Sequence, residues 1–384
     1  MKVLQLGKFY PIRGGVEKVM WDITFGLAER GIQCDMLCAV LPGEKVDEEH
    51  KAFITETKET LELSLGPYGR VIGVRAFAKK AGTMLSFSMI RWMIQHAKEY
   101  DIIHIHHPDP MAALALWHSR YKGRVFLHWH SDILRQKLLL AFYVPMQSWL
   151  IKRAERIIGT TPVYIRESPY LQNVQEKVTY VPIGIQPVIY APWDADEIRA
   201  SYPGKKIVFA LGRLVPYKGF HVLIEAATRL GPEYLVLIGG KGPLQEELQK
   251  QIEELGVQDR VKLLGYLSVE EVPAMFGACD VYVMSSNQKT EAFGIVQIEA
   301  MSCGKPVVST RIPHSGVSWV NKDGESGLNV PPDDPKNLAF AIKRICDNEQ
   351  NYQKFAAGAM KRYEELFTSR QMIDKILNVY EKTD

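Results

Sequence analysis

Residues 290–310 read TEAFGIVQIEAMSCGKPVVST and place two glutamates, Glu291 and Glu299, eight positions apart. An apolar, helix-like run separates them, and the strand-like segment PVVST follows. A helix that begins near Phe293 would present free backbone N–H groups and a partial positive charge, which favour a phosphate. Glu291 would stand just before the helix and Glu299 about two turns inside it, roughly 12 Å further along at about 1.5 Å per residue. We therefore expect a diphosphate at the helix start with a sugar or ribose hydroxyl at each carboxylate, as in a nucleotide-sugar site.

The rest of the chain repeats the same alternation of strands and helices. KVLQLG, IQCDMLCAV, DIIHIHHP and RVFLHWHSD read as strands in the first half, and KKIVFALGRL, YLVLIGGKGP, VKLLGYL and DVYVMSS read as strands in the second half. Helical segments lie between them, so the pattern predicts an α/β fold with parallel sheets wrapped by helices. With 384 residues, the chain is long enough for two such domains.

Composition excludes several classes of protein. The chain is 46% hydrophobic and 24% charged, and its five cysteines form no CxxC pair, which fits a reduced compartment. No apolar run reaches the ~20 residues of a membrane span, and no signal peptide is visible. The formal charge is +6 over residues 1–187 and −3 over the remainder. No GxGxxG follows a strand, so a dinucleotide oxidoreductase is not expected.

Positive charges follow predicted strands in the second half. The loop GRLVPYKGF follows IVFAL and contains Arg213 and Lys218, while GGKGP follows YLVLI. In open parallel sheets, ligands bind at the carboxyl ends of the strands. The two cations would therefore join the helix of residues 290–310 at one phosphate site.

The combined motifs resemble one known family. GRLVPYKG, GGKGP and EAFGIVQIEAMSCGKPVVST, together with the glycine pair Gly14 and Gly15 near the N-terminus, resemble the GT-B glycosyltransferases of family 4, the large retaining group. The resemblance covers essentially the whole chain. It implies two facing Rossmann-like domains with a deep interdomain cleft, and a metal-independent enzyme whose donor is a UDP- or GDP-sugar.

The resemblance also implies residue roles. Arg213 and Lys218 would bind the donor diphosphate, Glu291 the transferred sugar, and Glu299 the ribose. Backbone amides at the start of the helix would touch phosphate or sugar, and the glycine pair would let the first domain approach the donor. The donor-binding residues implied are Gly14, Gly15, Arg213, Lys218, Glu291, Phe293, Gly294, Ile295 and Glu299, and the catalytic residues are His130, Glu291, Arg213 and Lys218.

The first half supplies the expected acceptor side. His130 ends the strand VFLHWH and matches the active-site histidine of the family, with Asp132 beside it. From residue 63 to residue 98 there is no acid, and Arg75, Lys79 and Lys80 lie in this basic stretch among apolar residues. Such a stretch fits an anionic acceptor or lipid headgroups, and equally a solvated helix face. Residues 135–156, apolar in the middle and basic at both ends, are either a core helix or an interfacial surface.

Other histidines suggest a metal site. His104 and His106 share one face of a strand, as do His128 and His130 on another, while His107 points away. No cysteine cluster or HExxH pattern accompanies them, so structural or substrate-lining roles are favoured over zinc ligation.

These features predict an N-terminal acceptor-binding domain (residues 1–187), a C-terminal nucleotide-sugar-binding domain (188–365) and a final helix (366–384) that crosses back to the first domain. The function that we expect is retaining transfer of a hexose or N-acetylhexosamine to a lipid-diphosphate-linked saccharide. This activity would belong to O-antigen or cell-surface polysaccharide synthesis at the cytoplasmic face of the inner membrane. We do not expect nucleic acid as a partner. A nucleotide-sugar epimerase of the same fold and a non-catalytic nucleotide-sugar-binding subunit remain alternatives.

Overall fold

A computed structural model describes residues 1–12, 14–43, 60–80, 82–133 and 137–382, and within it the side chains of residues 137–142 are not described. The chain divides into two compact units. Unit 1 comprises Met1–Gly184 with Ser369–Asp384, and unit 2 comprises Ile185–Thr368. Both are α/β folds built on parallel sheets.

Unit 1 carries an eight-stranded sheet in the order β10-β9-β8-β7-β1-β2-β4-β3 and a separate β5-β6 pair. Its strands are β1 Lys2–Phe9, β2 Gln33–Val40, β3 Thr60–Ser64, β4 Gly69–Arg75, β5 Ala78–Lys80, β6 Thr83–Leu85, β7 Ile102–His107, β8 Arg124–Trp129, β9 Arg156–Gly159 and β10 Val178–Tyr180. Its helices up to residue 184 are α1 Gly15–Glu29, α2 Phe87–His96, α3 Pro110–Ser119, α4 Lys137–Arg153 and α5 Pro162–Arg166.

Unit 2 carries a six-stranded parallel sheet in the order β13-β12-β11-β14-β15-β16. Its strands are β11 Lys206–Leu211, β12 Tyr234–Gly239, β13 Val261–Gly265, β14 Val281–Met284, β15 Val307–Thr310 and β16 Gly327–Val330. Its helices are α6 Pro192–Ala200, α7 Phe220–Ala227, α8 Gln245–Glu254, α9 Glu271–Ala278, α10 Ile295–Ser302, α11 Val317–Val320, α12 Pro335–Cys346 and α13 Glu349–Leu366.

Burial on both faces explains why the central strands are continuous apolar runs. In β11, Ile207, Val208, Phe209 and Ala210 are all fully buried, because helices cover both sides of the sheet. Helix α12 begins where Asp334 accepts a hydrogen bond from the backbone N–H of Asn337, 2.9 Å away. The buried strands therefore form the central layer of unit 2, and the helices form the layers on its two faces.

The basic stretch that begins at residue 63 contains an antiparallel pairing that the sequence pattern did not predict. β3 runs antiparallel to β4 at the edge of the sheet in unit 1. On β4, Arg70 pairs with Asp35 at 3.2 Å and with Glu62 at 3.0 Å. One of the positive charges in the stretch is therefore already compensated.

The polypeptide returns to unit 1 at its C-terminus through α14, Ser369–Glu381. Tyr380 of α14 is fully buried and accepts a hydrogen bond from Gln5 of β1 at 3.2 Å. The helix packs on α1 at Gly26, where a Cβ would lie 2.7 Å from Cγ1 of Ile373. A side chain at residue 26 would therefore collide with α14.

Residues 135 and 136, which belong to the segment considered as an interfacial surface, lie outside the described residues. Among the described helices, none combines the length and apolarity needed to cross a bilayer.

Substituting Gly26→Val should destabilise unit 1 because it overpacks the α1–α14 contact, with a cost of about 1–3 kcal/mol. At roughly 2–4 °C per kcal/mol, the loss is visible in the melting temperature. Ile373→Ala removes the atoms that collide, so the double variant should lose less than the sum of the two single variants. Additive losses in thermal unfolding would contradict the packing described.

Candidate active site

The strand order in unit 2 places two loops side by side. From β11 the chain moves to β12 and β13 on one side, and β14 pairs with β11 on the other. The loops that follow β11 and β14 therefore leave neighbouring strand ends at the reversal point, where open parallel sheets bind ligands. Lys218 is in the first loop and Glu291 is in the second.

The backbone fixes Lys218 against the end of β14. Residues Pro216–Lys218 form a single 3₁₀ turn, and Gly219 follows with φ +65°. A Cβ at Gly219 would lie 2.1 Å from the carbonyl oxygen of Ser285, so only glycine fits. The Ser285 hydroxyl donates to the Lys218 carbonyl at 2.9 Å. The loop is thus held where its lysine faces the second loop.

Lys218 and Glu291 form a partly buried ion pair. Nζ of Lys218 lies 2.5 Å from Oε2 of Glu291, and each side chain is 13% exposed. The Ser286 hydroxyl donates to the same oxygen at 3.2 Å. Burial alone lowers the pKa of Lys218, but the Glu291 carboxylate outweighs it and the net pKa is raised. The ammonium therefore stays charged at neutral pH.

Helix α10 begins directly after this pair. Gly294 precedes it with φ +76°, and the side-chain amide of Gln297 donates to the carbonyl of Phe293 at 3.0 Å. The hydroxyl of Ser315 donates to the backbone carbonyl of Glu291 at 2.5 Å. The backbone N–H of Ile295, at the first helical position, has no intrahelical acceptor, whereas that of Gln297 donates to the carbonyl of Gly294 at 2.9 Å. The start of α10 is thus a fixed, anion-attracting surface.

Glu299 lies closer to the helix start than the sequence predicted. Because α10 begins at Ile295, Glu299 is just over one turn inside it, and the expectation of about two turns was wrong. Burial, and then the charges of Glu291 and Glu299, raise the pKa of Tyr282 well above its usual value. Both carboxylates are therefore close enough to act electrostatically on the buried phenol of Tyr282.

Arg213 occupies a different position in the first loop. Its carbonyl accepts from Val215 at 2.8 Å, and Leu214 donates to the carbonyl of Lys241 in the loop after β12. The guanidinium is exposed and makes no hydrogen bond or ion pair with the residues that the structure describes. The structure therefore places Arg213 in the predicted loop but does not join it to the Lys218–Glu291 pair.

In unit 1 the corresponding reversal lies between β1 and β7. Gly14 and Gly15 are exposed at the start of α1, which follows β1, and a Cβ on Gly14 would lie 2.7 Å from Oε2 of Glu17. Lys8 donates through its backbone to Asp109, which caps α3 by accepting from the amides of Met111 and Ala112 at 3.0 and 3.1 Å. This gives a polar cluster at the ends of both strands.

The sequence analysis missed Lys8, Glu17 and Asp109. Burial raises the pKa of Glu17 and of Asp109, although the Lys8 ammonium lowers both. For Lys8 and Asp109 the available signal was a charged residue immediately after a predicted strand, and for Glu17 it was the adjacent glycine pair.

His130 lies just beyond β8 and belongs to a stack of buried imidazoles. Its ring centroid is 4.2 Å from that of His128 and 5.2 Å from that of His106. Nε2 of His130 lies 2.9 Å from Nδ1 of His106. Burial lowers the pKa of His130 well below its usual value, and the neighbouring imidazoles and Lys8 lower it further. The ring is therefore neutral at physiological pH.

Three of these histidines come close enough to be considered for a metal. One ring nitrogen from each of His104, His106 and His128 lies within 4.8 Å of the others. However, the rings are stacked at 10–19° rather than converging. Both nitrogens of His106 already have partners, in His130 and Gln5. This arrangement fits a stacked, hydrogen-bonded cluster better than a tetrahedral zinc site.

The acceptor-side candidates have different surroundings. Asp132 is buried, and its Oδ1 accepts from Trp129 at 3.0 Å and from Ser168 at 2.7 Å, which favours a structural role. Lys79 is exposed, with Nζ 4.1 Å from the ring centroid of Phe9 at the end of β1. The remaining candidates are Arg75, half-buried at the end of β4, and Lys80, exposed at the end of β5.

Comparisons with known proteins show which proteins the chain is similar to. Residues 13–188 match the family model "Glycosyltransferase Family 4", and residues 193–362 match "Glycosyl transferases group 1". The chain is 30% identical to O-antigen chain mannosyltransferase C of Escherichia coli, over 99% of this chain and 98% of the relative. It is 32% identical to D-rhamnosyltransferase WbpZ of Pseudomonas aeruginosa, over 96% and 93%.

Two solved structures share the fold. Anabaena HepE, solved in complex with UDP, superposes with a TM-score of 0.78 at 24% identity, covering 99% of both chains. Sucrose-phosphate synthase from Thermosynechococcus elongatus superposes with a TM-score of 0.77 at 21% identity, covering 99% of this chain and 98% of the other.

The buried histidines should make unit 1 acid-sensitive. Burial lowers the pKa of His107 and of His128 to about 3, and lowers those of His104, His106 and His130 well below the usual value. Unfolding exposes these rings to water, where they titrate near ~6.5, so stability falls as pH drops below that value toward the folded pKa values.

At pH 5 each such histidine should cost about 2 kcal/mol. Measuring the melting temperature from pH 7 to pH 5 checks this. His128→Phe is the comparison: the variant should take up about one proton fewer on unfolding, so its melting temperature should fall less steeply with pH. A melting temperature that is independent of pH in this window would contradict the expectation.

Proposed function

Because the chain belongs to the GT-B glycosyltransferases of group 1 and family 4, we propose that it is a retaining hexosyltransferase that uses a nucleoside-diphosphate sugar. The observation that carries this proposal is the Lys218–Glu291 ion pair at the start of α10. It joins a cation, a carboxylate and a helix N-terminus at one switch point of the sheet. Few ligands other than a diphosphate attached to a polyol satisfy all three.

The donor diphosphate would lie against the start of α10. Its charge is met by the N–H groups of residues 293–295, by the ammonium of Lys218 and by the exposed guanidinium of Arg213. Negative charge grows on the leaving phosphate as the glycosidic bond breaks. Fixed donors aimed at that phosphate stabilise the transition state more than the ground state. These groups do what a bound divalent cation does in other transferases, and we propose that no metal is required.

The two carboxylates would orient the polyols. Oε2 of Glu291 is held by Lys218 and Ser286, while Oε1 has no donor among the described residues and can accept from a hydroxyl of the transferred sugar. Glu299, just over one turn along α10, would accept from the ribose. A sugar lacking the matching hydroxyl would leave a carboxylate oxygen unpaired, which is how such a site discriminates.

We propose that the reaction proceeds on one face of the sugar. The bond from the anomeric carbon to the phosphate oxygen breaks, and the bond to the acceptor oxygen forms on the same side. The acceptor hydroxyl gives its proton to the departing phosphate, so the charge balances without a protein nucleophile. His130, a neutral ring at the end of β8, would accept a hydrogen bond from a hydroxyl of the reacting saccharide.

The relatives suggest the sugar and the acceptor. One is named as a mannosyltransferase and the other as a D-rhamnosyltransferase, and D-rhamnose is 6-deoxymannose, so a manno-configured hexose is the transferred group that we propose. Both O-antigen synthesis and the +6 charge of residues 1–187 favour a lipid-diphosphate-linked saccharide acceptor at the inner membrane surface. Arg75, Lys79 and Lys80 are the cations that we assign to this acceptor side.

A transfer assay tests the proposal. The protein is incubated with GDP-mannose, and separately with UDP-hexoses and UDP-N-acetylhexosamines, with and without a lipid-diphosphate disaccharide and with or without EDTA. We expect sugar transfer that depends on the acceptor and that EDTA does not abolish. NMR of the product should show that the axial anomeric configuration of the donor is retained. Inversion at C2 without an acceptor would indicate an epimerase, and binding without turnover would indicate a binding subunit.

Loss of either cation should slow turnover. Lys218→Ala and Arg213→Ala each remove a charge from the leaving phosphate, worth roughly 2–4 kcal/mol, or about 30- to 1000-fold in kcat/KM. Arg344→Ala, on an exposed face of α12, is the matched control and should leave turnover unchanged. Normal turnover in both site variants would refute the phosphate site.

Replacing Glu299 should affect donor binding more than chemistry. Glu299→Ala removes the proposed ribose contact and should raise the donor KM about 10- to 150-fold with a smaller change in kcat, since one hydrogen bond to a charged group contributes roughly 1.5–3 kcal/mol. Steady-state kinetics at varied donor concentration measure both constants. An unchanged KM would show that Glu299 does not hold the ribose.

A further inference from the structure

A chain of buried hydrogen bonds in unit 1 ends at His130. The Tyr380 hydroxyl lies 2.6 Å from Nδ1 of His104, and Nε2 of Gln5 donates to the same hydroxyl at 3.2 Å. Oε1 of Gln5 lies 2.8 Å from Nε2 of His106, whose Nδ1 lies 2.9 Å from Nε2 of His130. The first four side chains are fully buried, and His130 is 5% exposed. The chain thus connects α14 to the end of β8 through β1 and β7.

The amide of Gln5 gives this chain a direction. Its nitrogen faces two acceptors, the Tyr380 hydroxyl and, at 3.9 Å, Sγ of Cys34, while its oxygen faces His106. An amide oxygen cannot donate, so Nε2 of His106 must carry the proton. A neutral imidazole has one N–H, and Nδ1 of His106 is therefore an acceptor. The partner nitrogen, Nε2 of His130, must then be the donor.

We propose that Gln5 and His106 are positioning residues that hold His130 in its Nε2–H tautomer, so that its Nδ1 is a fixed hydrogen-bond acceptor for a saccharide hydroxyl. This inference rests on the role proposed above for His130. Nδ1 of His130 has no hydrogen-bond partner among the described residues, so of the two nitrogens of this ring it is the one left for a ligand. The proposal adds which kind of group that ligand must present, namely a hydroxyl that donates.

Burial makes the arrangement hard to reverse. For His130 to adopt the other tautomer, His106 must also change its tautomer and the amide of Gln5 must flip. Nε2 of Gln5 would then have one N–H unpaired in the core. The ring of His130 is also packed against His128 at 4.2 Å, which restricts rotation. Tyr380 anchors the far end, so α14 contributes to the geometry of a side chain on β8.

Two histidines offer a matched pair of substitutions. His106 and His128 both stack on His130, but only His106 is hydrogen-bonded to it, and neither nitrogen of His128 has a partner among the described residues. His106→Phe removes the hydrogen bond and keeps an aromatic ring, whereas His128→Phe keeps the hydrogen bond. A merely structural role would affect the two variants alike.

The tautomer can be read directly by long-range ¹H–¹⁵N correlation on the full-length protein labelled with ¹⁵N-histidine, without substrates. We expect His130 to show a protonated Nε2 and an unprotonated Nδ1 in the wild type and in His128→Phe. In His106→Phe we expect averaged nitrogen shifts. Gln5→Glu places a carboxylate beside His106, which should become doubly protonated, donate to His130 and move the proton of His130 to Nδ1.

Kinetics complete the test. His106→Phe should lower kcat about 10- to 100-fold with little change in donor KM, as is typical when a residue that orients a functional group is lost. His128→Phe should stay within about threefold of the wild type. A protonated Nδ1 of His130 in the wild-type spectrum, or equal losses in the two phenylalanine variants, would overturn the proposal. If the wild type transfers no sugar, the proposed function fails, and the spectrum still decides the tautomer.

Discussion

The reversal of strand order between β11 and β14 is the constraint on which the donor site depends. At such a point two neighbouring parallel strands are connected to strands on opposite sides of the sheet. The loops that follow them therefore diverge and leave a crevice between them. Here those loops contain Lys218 and Glu291, and the missing side chain of Gly219 lets the first loop touch the carbonyl of Ser285. That contact and the hydrogen bond from Ser285 to the Lys218 carbonyl hold the first loop where its lysine reaches Glu291, just before α10.

Unit 1 uses the same principle with a different result. Between β1 and β7 the reversal gathers Lys8, Glu17 and Asp109 near the glycine pair, and β8 adds His130 one strand further on. Burial keeps the imidazoles neutral, and in a neutral imidazole the tautomer decides which ring nitrogen donates and which accepts. The reversal in unit 2 therefore presents the charged pair Lys218–Glu291, whereas unit 1 combines a charged cluster with neutral imidazoles that form directional hydrogen bonds.

The family motifs predicted the α/β fold and the residues around Glu291, because these depend on local patterns of glycines and charges. Other features depend on contacts between distant segments. The direction of the chain from Tyr380 to His130 requires knowing that β1 lies beside β7 and that α14 covers it. The hydrogen bond from Ser168 to Asp132 likewise joins distant positions. The pairing of β3 with β4 is local, and it was missed because the stretch from residue 63 was interpreted from its charge and not from its strand pattern. The position of Glu299 was misjudged because Gly294 delays the start of the helix.

Amide hydrogen exchange with and without a saturating nucleoside diphosphate, GDP or UDP, tests the central claim most directly. If cations and the start of α10 hold the diphosphate, protection should appear in residues 212–219 and 292–296 and be lost in Lys218→Ala. Protection confined to other segments, or none at concentrations where calorimetry shows binding, would contradict the account.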